Sequence, residues 1–383
     1  MRFDLVPRAA QHAGDLDVLR HEVRAFLTGQ RAAGAFTPRV DSWGDGWDPG
    51  FSRALAERGW VGMTVPARYG GGGRTFMERF AVTEELLAAG APVSAHWVAD
   101  RQVAPSLLRH GTEEQRERFL PPITRAEEFW AIGMSEPGSG SDLASVRTRA
   151  TPVAGGWTLS GTKLWTSGAH HAHFFIVLAR TEPVDPARRH DGLSQFIVPL
   201  DAPNVRISPV LNLSGAHHFN EVVLDEVFVP DGMLLGLPGS GWRQVTAELG
   251  FERSGPERFL SAYVLLAEAL RESGDGAVPH DTRLGALVGR HFGLHHMSLA
   301  VSQALERGDD AEVPAAVVKL LGTRMEGDVV DVVDELVGLS ERTAAPVLAG
   351  LLRSGVLNRP GFTIRGGTTQ VLDGMVARGL GLR

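Results

Sequence analysis

The feature of this sequence that most restricts its fold is a hydrophobic period that changes twice along the chain. Up to about residue 125, apolar residues recur at helical spacing. In DLDVLRHEVRAFL, Leu16, Leu19, Val23, Phe26 and Leu27 fall on one face, and Asp15 stands where an N-cap would. Further helical stretches are MERFAVTEELLAAG and GTEEQRERFLPPI. From about 130 to 230 the pattern becomes short runs rich in β-branched and aromatic residues, bounded by turn residues: GWTLSGTKLWTSG, HFFIVLAR, SQFIVPL, VRISPVL and NEVVLDEVFVP. That spacing predicts a compact β-barrel or sandwich with no helices between its strands. After Pro230 the helical period returns, with Phe259, Tyr263, Leu266 and Leu270 sharing one face and Val313, Ala316, Val317, Leu320 and Leu321 another. EGDVVDVVDELVG and TTQVLDGMVARGL add further helix. No repeat of 20 to 50 residues is present.

A chain of 383 residues has room for two or three packed units. Its 43% hydrophobic and 22% charged residues are those of a soluble globular protein. A net charge of −7 with no basic stripe argues against a nucleic-acid partner. The absence of cysteine excludes disulfides, thiolate metal sites and cysteine nucleophiles. No apolar run is long enough for a membrane span, and the first residues lack the core of a secretion signal. The expectation is therefore a cytoplasmic protein that does not enter a membrane. Lysine occurs only at 163 and 319 while arginine is abundant, which reads as a compositional bias of the source.

Several motifs point to the wrong chemistry. EPGSGSDL has Gly138 and Gly140 but Leu143 where a dinucleotide fingerprint needs its third glycine, and YGGGG lacks the lysine of a phosphate loop. The histidines at 170, 171, 173, 217, 218, 291, 295 and 296 lack the glutamate and third ligand of a hydrolytic zinc site, so they are expected to be packed or at the surface. No Gly-x-Ser-x-Gly elbow occurs.

What remains is a conjunction. FWAIGMSEPGSGSDLASVRTRA offers a turn of small hydroxyls and backbone N–H groups, suited to a polar ring edge or a phosphate. About twenty residues later, GTKLWTSGAHHAHFFIVLART carries Trp165, able to lie flat beside an aromatic cofactor. The order of MSEPGSGSD and KLWTS closely resembles that of the acyl-CoA dehydrogenase family of flavoproteins. VPARYGGGGRTFMERFAVTEELLAAG, FNEVVLDEVFVP and GGTTQVLDGMVARGLG extend the resemblance over almost the whole chain.

The resemblance implies an α+β fold of three parts: an N-terminal all-α domain (1–127), a central β-barrel domain (128–232) and a C-terminal four-helix bundle (233–383). It implies FAD as cofactor, with Met134 and Ser135 at the flavin's pyrimidine and N5 edge, Gly140 and Ser141 at its pyrophosphate, and Trp165 and Ser167 flanking the ring. Thr368 and Gln370 would touch cofactor near a subunit boundary, where a helix N-terminus also suits phosphate. The implied assembly is a homotetramer. The substrate would be an acyl thioester on coenzyme A or an acyl carrier protein, with electrons passing to an electron-transferring flavoprotein or another external acceptor.

Family chemistry removes a proton α to the thioester carbonyl, which requires a carboxylate base and donors on the developing enolate oxygen. Most members carry that base as a glutamate directly before the final Gly-Thr, but here Gly366 stands there, preceded by Arg365. A minority place it on an earlier helix before an arginine, and Glu252-Arg253 in AELGFERSGPERF matches that position. The flanking Leu249, Gly250 and Phe251 would raise the carboxyl's pKa toward neutrality. The resulting expectation is Glu252 as base, Arg253 as the residue that orients base or thioester, and Gly366 as an N–H donor. Two alternatives stand beside it: a flavin monooxygenase on the same fold, which needs no such base, and a non-catalytic partner subunit of a hetero-oligomer.

Overall fold

A computed structural model describes residues 13–309, 311–340 and 343–382, with the side chains of 13, 14, 249–252 and 254 outside the described set. In chain order the first helices are α1 (Ala13–Ala32), α2 (Ser42–Asp45), α3 (Pro49–Glu57), α4 (Phe76–Ala88), α5 (Ser94–Val98), α6 (Ala104–His110) and α7 (Glu113–Thr124). The strands are β1 (Trp130–Gly133), β2 (Arg149–Val153), β3 (Gly156–Lys163), β4 (Phe174–Arg180), β5 (Leu193–Pro199), β6 (Val205–Leu211), β7 (His217–Pro230) and β8 (Leu234–Leu235). Helices return as α8 (Gly241–Ser254), α9 (Tyr263–Gly274), α10 (Thr282–Glu306), α11 (Glu312–Leu339), α12 (Pro346–Phe362) and α13 (Thr369–Gly379). The order helix, sheet, helix follows the two changes of period. Thr75 and Thr112 start α4 and α7 with capping boxes closed by Glu78 and Gln115. Asp15, expected as an N-cap, instead lies inside the first turn of α1, where its charge favours the helix dipole.

One compact unit comprises Asp48–Arg74 and Ala95–Phe251. Its eight-stranded mixed sheet runs β6-β7-β3-β2-β4-β5-β8, with β1 added parallel to β4. Strands β4 and β5 are nearly continuous apolar runs because both of their faces are covered. Their two-residue period divides the core. Phe175, Val177, Ala179, Phe196 and Val198 join Leu159, Val222, Leu224 and Val229 on one face. Ile176 and Ile197 meet Leu107, Phe119, Leu120 and Ile123 of α6 and α7 on the other. The ring of Phe119 stands edge-on to Trp130 at 5.1 Å and to Phe174 at 5.3 Å.

The other unit comprises Met1–Trp47, Thr75–Ser94 and Glu252–Arg383. Its centre is α11, which packs against α9, α10, α12 and α13, while α4 packs against α1, α9 and α10. At Gly322 a Cβ would lie 2.2 Å from the Arg258 carbonyl oxygen, so α11 can approach that turn only with glycine there. Of the face read from the sequence, Phe259 and Leu266 are buried while Leu270 is exposed; Leu265 and Ala269 are buried as well. His291 is packed, its ring nitrogens 3.1 Å from the carbonyl oxygens of Leu287 and Phe259, and His295 pairs with Glu84. Among the described residues no His, Asp or Glu cluster could hold a metal, and no helix is long and apolar enough to cross a membrane.

Phe119→Ala would open a cavity between sheet and helices and should cost about 3–5 kcal/mol of stability in a urea titration. Gly322→Ala, where backbone meets the added methyl, should lower the melting temperature despite alanine's better helix propensity.

Candidate functional site

The two glycine- and tryptophan-bearing motifs meet in the sheet unit. β1 delivers Met134, Ser135 and Glu136, and β3 delivers Lys163, Leu164 and Trp165. The Leu164 N–H donates to the Ser135 carbonyl at 2.9 Å, joining the two segments. Behind them Lys163, fully buried, donates through Nζ to Glu136 Oε1 at 2.8 Å and to the Met134 carbonyl at 3.2 Å. The Glu136 carboxylate also accepts from the Thr148 N–H (2.8 Å), the Thr148 hydroxyl (2.6 Å) and the Arg147 N–H (2.7 Å). Burial alone would raise the Glu136 carboxyl, but Lys163 and these hydrogen bonds hold it below its ordinary value. Burial pulls the Lys163 ammonium down to about 8, against the opposing pull of Glu136. The turn is closed by Glu136 N–H to Ser139 carbonyl at 2.7 Å and its reciprocal at 3.0 Å, leaving Gly140 and Ser141 exposed.

Trp165 has φ +62°, a left-handed conformation that a bulky residue rarely adopts. It is pinned on both sides. Leu164 holds the preceding position, and the Thr166 N–H donates to the Asn220 carbonyl at 3.0 Å while the Asn220 N–H returns to the Thr166 carbonyl at 3.1 Å. The indole rests edge-on against Phe219 at 5.6 Å, yet 54% of the residue is exposed. Next to it the Thr166 hydroxyl is buried and has no hydrogen-bond partner among the described residues. The Ser135 N–H takes no acceptor among the described residues either. A flat aromatic surface on a fixed backbone, next to one buried hydroxyl without a partner among the described residues and one backbone N–H without a protein acceptor, fits a heteroaromatic ring with a polar edge such as a flavin. Nearby, His170 and His217 stack at 3.7 Å, and burial together with the adjacent His171 and His217 pulls His170 down to about 4.

In the helical unit the turn before α13 is gripped by buried cations. Gly366 (φ +67°) and Gly367 (φ +99°) both occupy left-handed backbone, which favours glycine. The Arg253 Nε–H donates to the Gly366 carbonyl at 3.0 Å, and the fully buried Lys319 donates to the Gly367 carbonyl at 2.6 Å. Arg365 does not line this turn's open side. Its guanidinium pairs with Asp41, donates to the Ser261 hydroxyl at 2.8 Å, approaches Glu326 at 3.7 Å and lies over the Trp43 ring. Burial pushes the Glu326 carboxyl up to about 7, in spite of Arg365 and the Ser261 N–H. Thr368 caps α13 by accepting the Val371 N–H, and Gln370 is exposed. Glu252 lies on α8, and its side chain is outside the described residues.

Thus Met134, Ser135, Trp165 and Ser167 assemble in the sheet unit, while Arg253, Gly366 and Thr368 assemble in the helical one. Sequence reasoning missed Glu136, Lys163, Thr166 and Lys319. Its available signal was the lysine count: both lysines of the chain are fully buried.

Comparison with known proteins places these features in a family context. The acyl-CoA dehydrogenase N-terminal domain matches residues 15–127, and the acyl-CoA dehydrogenase middle domain matches residues 131–227. Acyl-CoA dehydrogenase FadE34 of Mycobacterium tuberculosis is 37% identical over 328 residues, 83% of this chain and 44% of that protein. The chain therefore spans under half of that relative's length. Acyl-CoA dehydrogenase FadE29 of the same organism is 34% identical over 336 residues, covering 85% of this chain and 86% of its own. Among solved structures, the Tcur3481-Tcur3483 steroid ACAD superimposes with a TM-score of 0.85 over 100% of both chains at 29% identity.

Removing the Glu136 charge by Glu136→Gln strands a buried ammonium and should cost about 3–5 kcal/mol at neutral pH. Because the folded-state pKa of Glu136 is lowered, its contribution is present above the ordinary carboxylate value of 4.5 and lost as pH falls through the folded value. Acid unfolding curves of wild type and variant should therefore converge at low pH.

Proposed function

The chain belongs to the acyl-CoA dehydrogenase family, and on that premise we propose that it is an FAD-dependent oxidoreductase that introduces an α,β double bond into an acyl thioester. The observation that supports this most is the half-exposed Trp165, held in a left-handed conformation beside Ser135 and the unpartnered Thr166 hydroxyl. Met134, Ser135, Thr166 and Ser167 would hold the ring's polar edge, with Gly140 and Ser141 toward the pyrophosphate. FAD, when bound, supplies the acceptor for the β-hydrogen.

Glu252 is the base for the α-proton, since Gly366 carries no carboxylate. The turn of Gly366 and Gly367 supplies hydrogen-bond donors. Arg253 and Lys319 hold the carbonyls of Gly366 and Gly367, which turns the N–H groups of Gly367 and Thr368 away from those cations. These two N–H groups, rather than that of Gly366 named from the sequence, are the donors this reading assigns to a developing enolate oxygen. Arg253 is thus a positioning residue for the turn, and Thr368 fixes the helix start behind it. Glycine at 366, with Arg365 drawn toward Asp41, leaves the turn free of a large side chain. That suits a bulky acyl group, and the steroid named for the superimposed structure gives the class to test first. Coenzyme A is the expected carrier and an electron-transferring flavoprotein the expected electron acceptor. A second reading is a subunit that completes a hetero-oligomer. The turn without its carboxylate and the paired designation of the superimposed structure favour it.

Anaerobic mixing of the purified protein with straight-chain, branched and steroid side-chain acyl-CoA should bleach the flavin with the bulky thioesters. Glu252→Gln should retain flavin and slow bleaching by about 10²–10⁴-fold. Undiminished bleaching in the variant removes Glu252 from the role of base, and a colourless wild-type protein favours the subunit reading.

A further inference from the structure

Lys163 has no part in the mechanism above, yet it is one of only two lysines and is wholly enclosed. A buried ammonium is costly, and a surface structural pair would not need to be placed here. Two of its acceptors are Glu136 Oε1 at 2.8 Å and the Met134 carbonyl at 3.2 Å. The second contact matters for the site. In a trans peptide the N–H of the next residue lies opposite the carbonyl, so a cation fixed on the Met134 oxygen aims the Ser135 N–H away from Lys163. It also draws electron density toward that oxygen and makes the N–H a stronger donor, as happens along chains of hydrogen bonds. The Ser135 N–H has no acceptor among the described residues. On the other side of the same residue, the Ser135 carbonyl is occupied by the Leu164 N–H at 2.9 Å, which prevents the peptide from turning over.

We propose that Lys163 is a positioning residue that aims and polarises the Ser135 N–H as a hydrogen-bond donor to the flavin, and so favours the reduced cofactor over the oxidised one. The inference rests on the FAD reading given above. FAD, when bound, would supply the two-electron acceptor for the β-hydrogen while Glu252 holds the α-proton. A reduced ring would carry more negative charge than an oxidised one, so a polarised donor at its edge would interact more strongly with the reduced form. Glu136 is the charged group that acts on Lys163, and it acts in turn on Arg180. With Lys163 drawn to about 8, its proton is lost within an accessible range.

The test compares wild type, Lys163→Met and the double variant Lys163→Met with Glu136→Gln, all loaded with FAD. The double variant removes both charges together, so that neither is left buried alone. Melting temperatures establish folding, and equilibration with a reference dye gives the flavin's reduction equilibrium from pH 6 to 9. The expected result is a folded, yellow double variant whose reduced-to-oxidised ratio falls about tenfold at a given dye potential, the order for weakening one hydrogen bond to a charged group. The wild-type equilibrium should show a break near pH 8 that the double variant lacks. A folded, flavin-loaded double variant with the wild-type equilibrium and pH dependence overturns the inference alone. A wild-type protein that takes up no flavin overturns the FAD reading and this inference with it.

Discussion

The buried pair of Glu136 and Lys163 is the contact on which the sheet unit's candidate site depends. One carboxylate gathers the end of β3, through the Lys163 ammonium, and the chain leading into β2, through Arg147 and Thr148. The same ammonium reaches the carbonyl of Met134 at the end of β1. Three segments that share no continuous backbone are thereby locked at one point. Such a pair contributes little net stability over an apolar replacement, but breaking it from one side is expensive. Its value lies in geometry, because it leaves the outward polar groups of Ser135 with one orientation.

A parallel arrangement governs the helical unit. Its glycine turn carries no carboxylate, yet it is held with equal care. Arg253 and Lys319 each take a carbonyl from it, and Arg365 anchors the preceding residue by reaching toward Asp41, Ser261 and Glu326. Two left-handed glycines in succession would be mobile in isolation, since they lack the steric limits of other residues. Buried cations replace those limits. Arg365, a long basic residue next to the turn, is drawn away to Asp41, Ser261 and the Trp43 ring.

Much of the architecture was legible because it follows from period. The strands β3 to β7 are long, β-branched and bounded by turn residues, so they announced themselves. β1 and β8 are too short to show alternation, and β2, with its Pro152 and four exposed positions, has no apolar pattern to read. Phe259 lies in the turn before α9 rather than on it, and Leu270, though at helical spacing from Tyr263 and Leu266, is exposed near the end of the helix. The lysine count was visible from the start and was read as composition. Only burial distinguishes two retained lysines from chance survivors of an arginine-rich sequence.

By itself, the sequence determined the order of helix, sheet and helix, the order of MSEPGSGSD and KLWTS along the chain, and the absence of a carboxylate at Gly366. Each of these depends on residue identity and local spacing. Tertiary structure decided the strained Trp165 backbone, the four hydrogen bonds on Glu136 and the cation grip on the glycine turn. These depend on which distant segments share a low-dielectric space, and no local pattern encodes that. A charge becomes a positioning device only when folding removes the water that would otherwise have screened it.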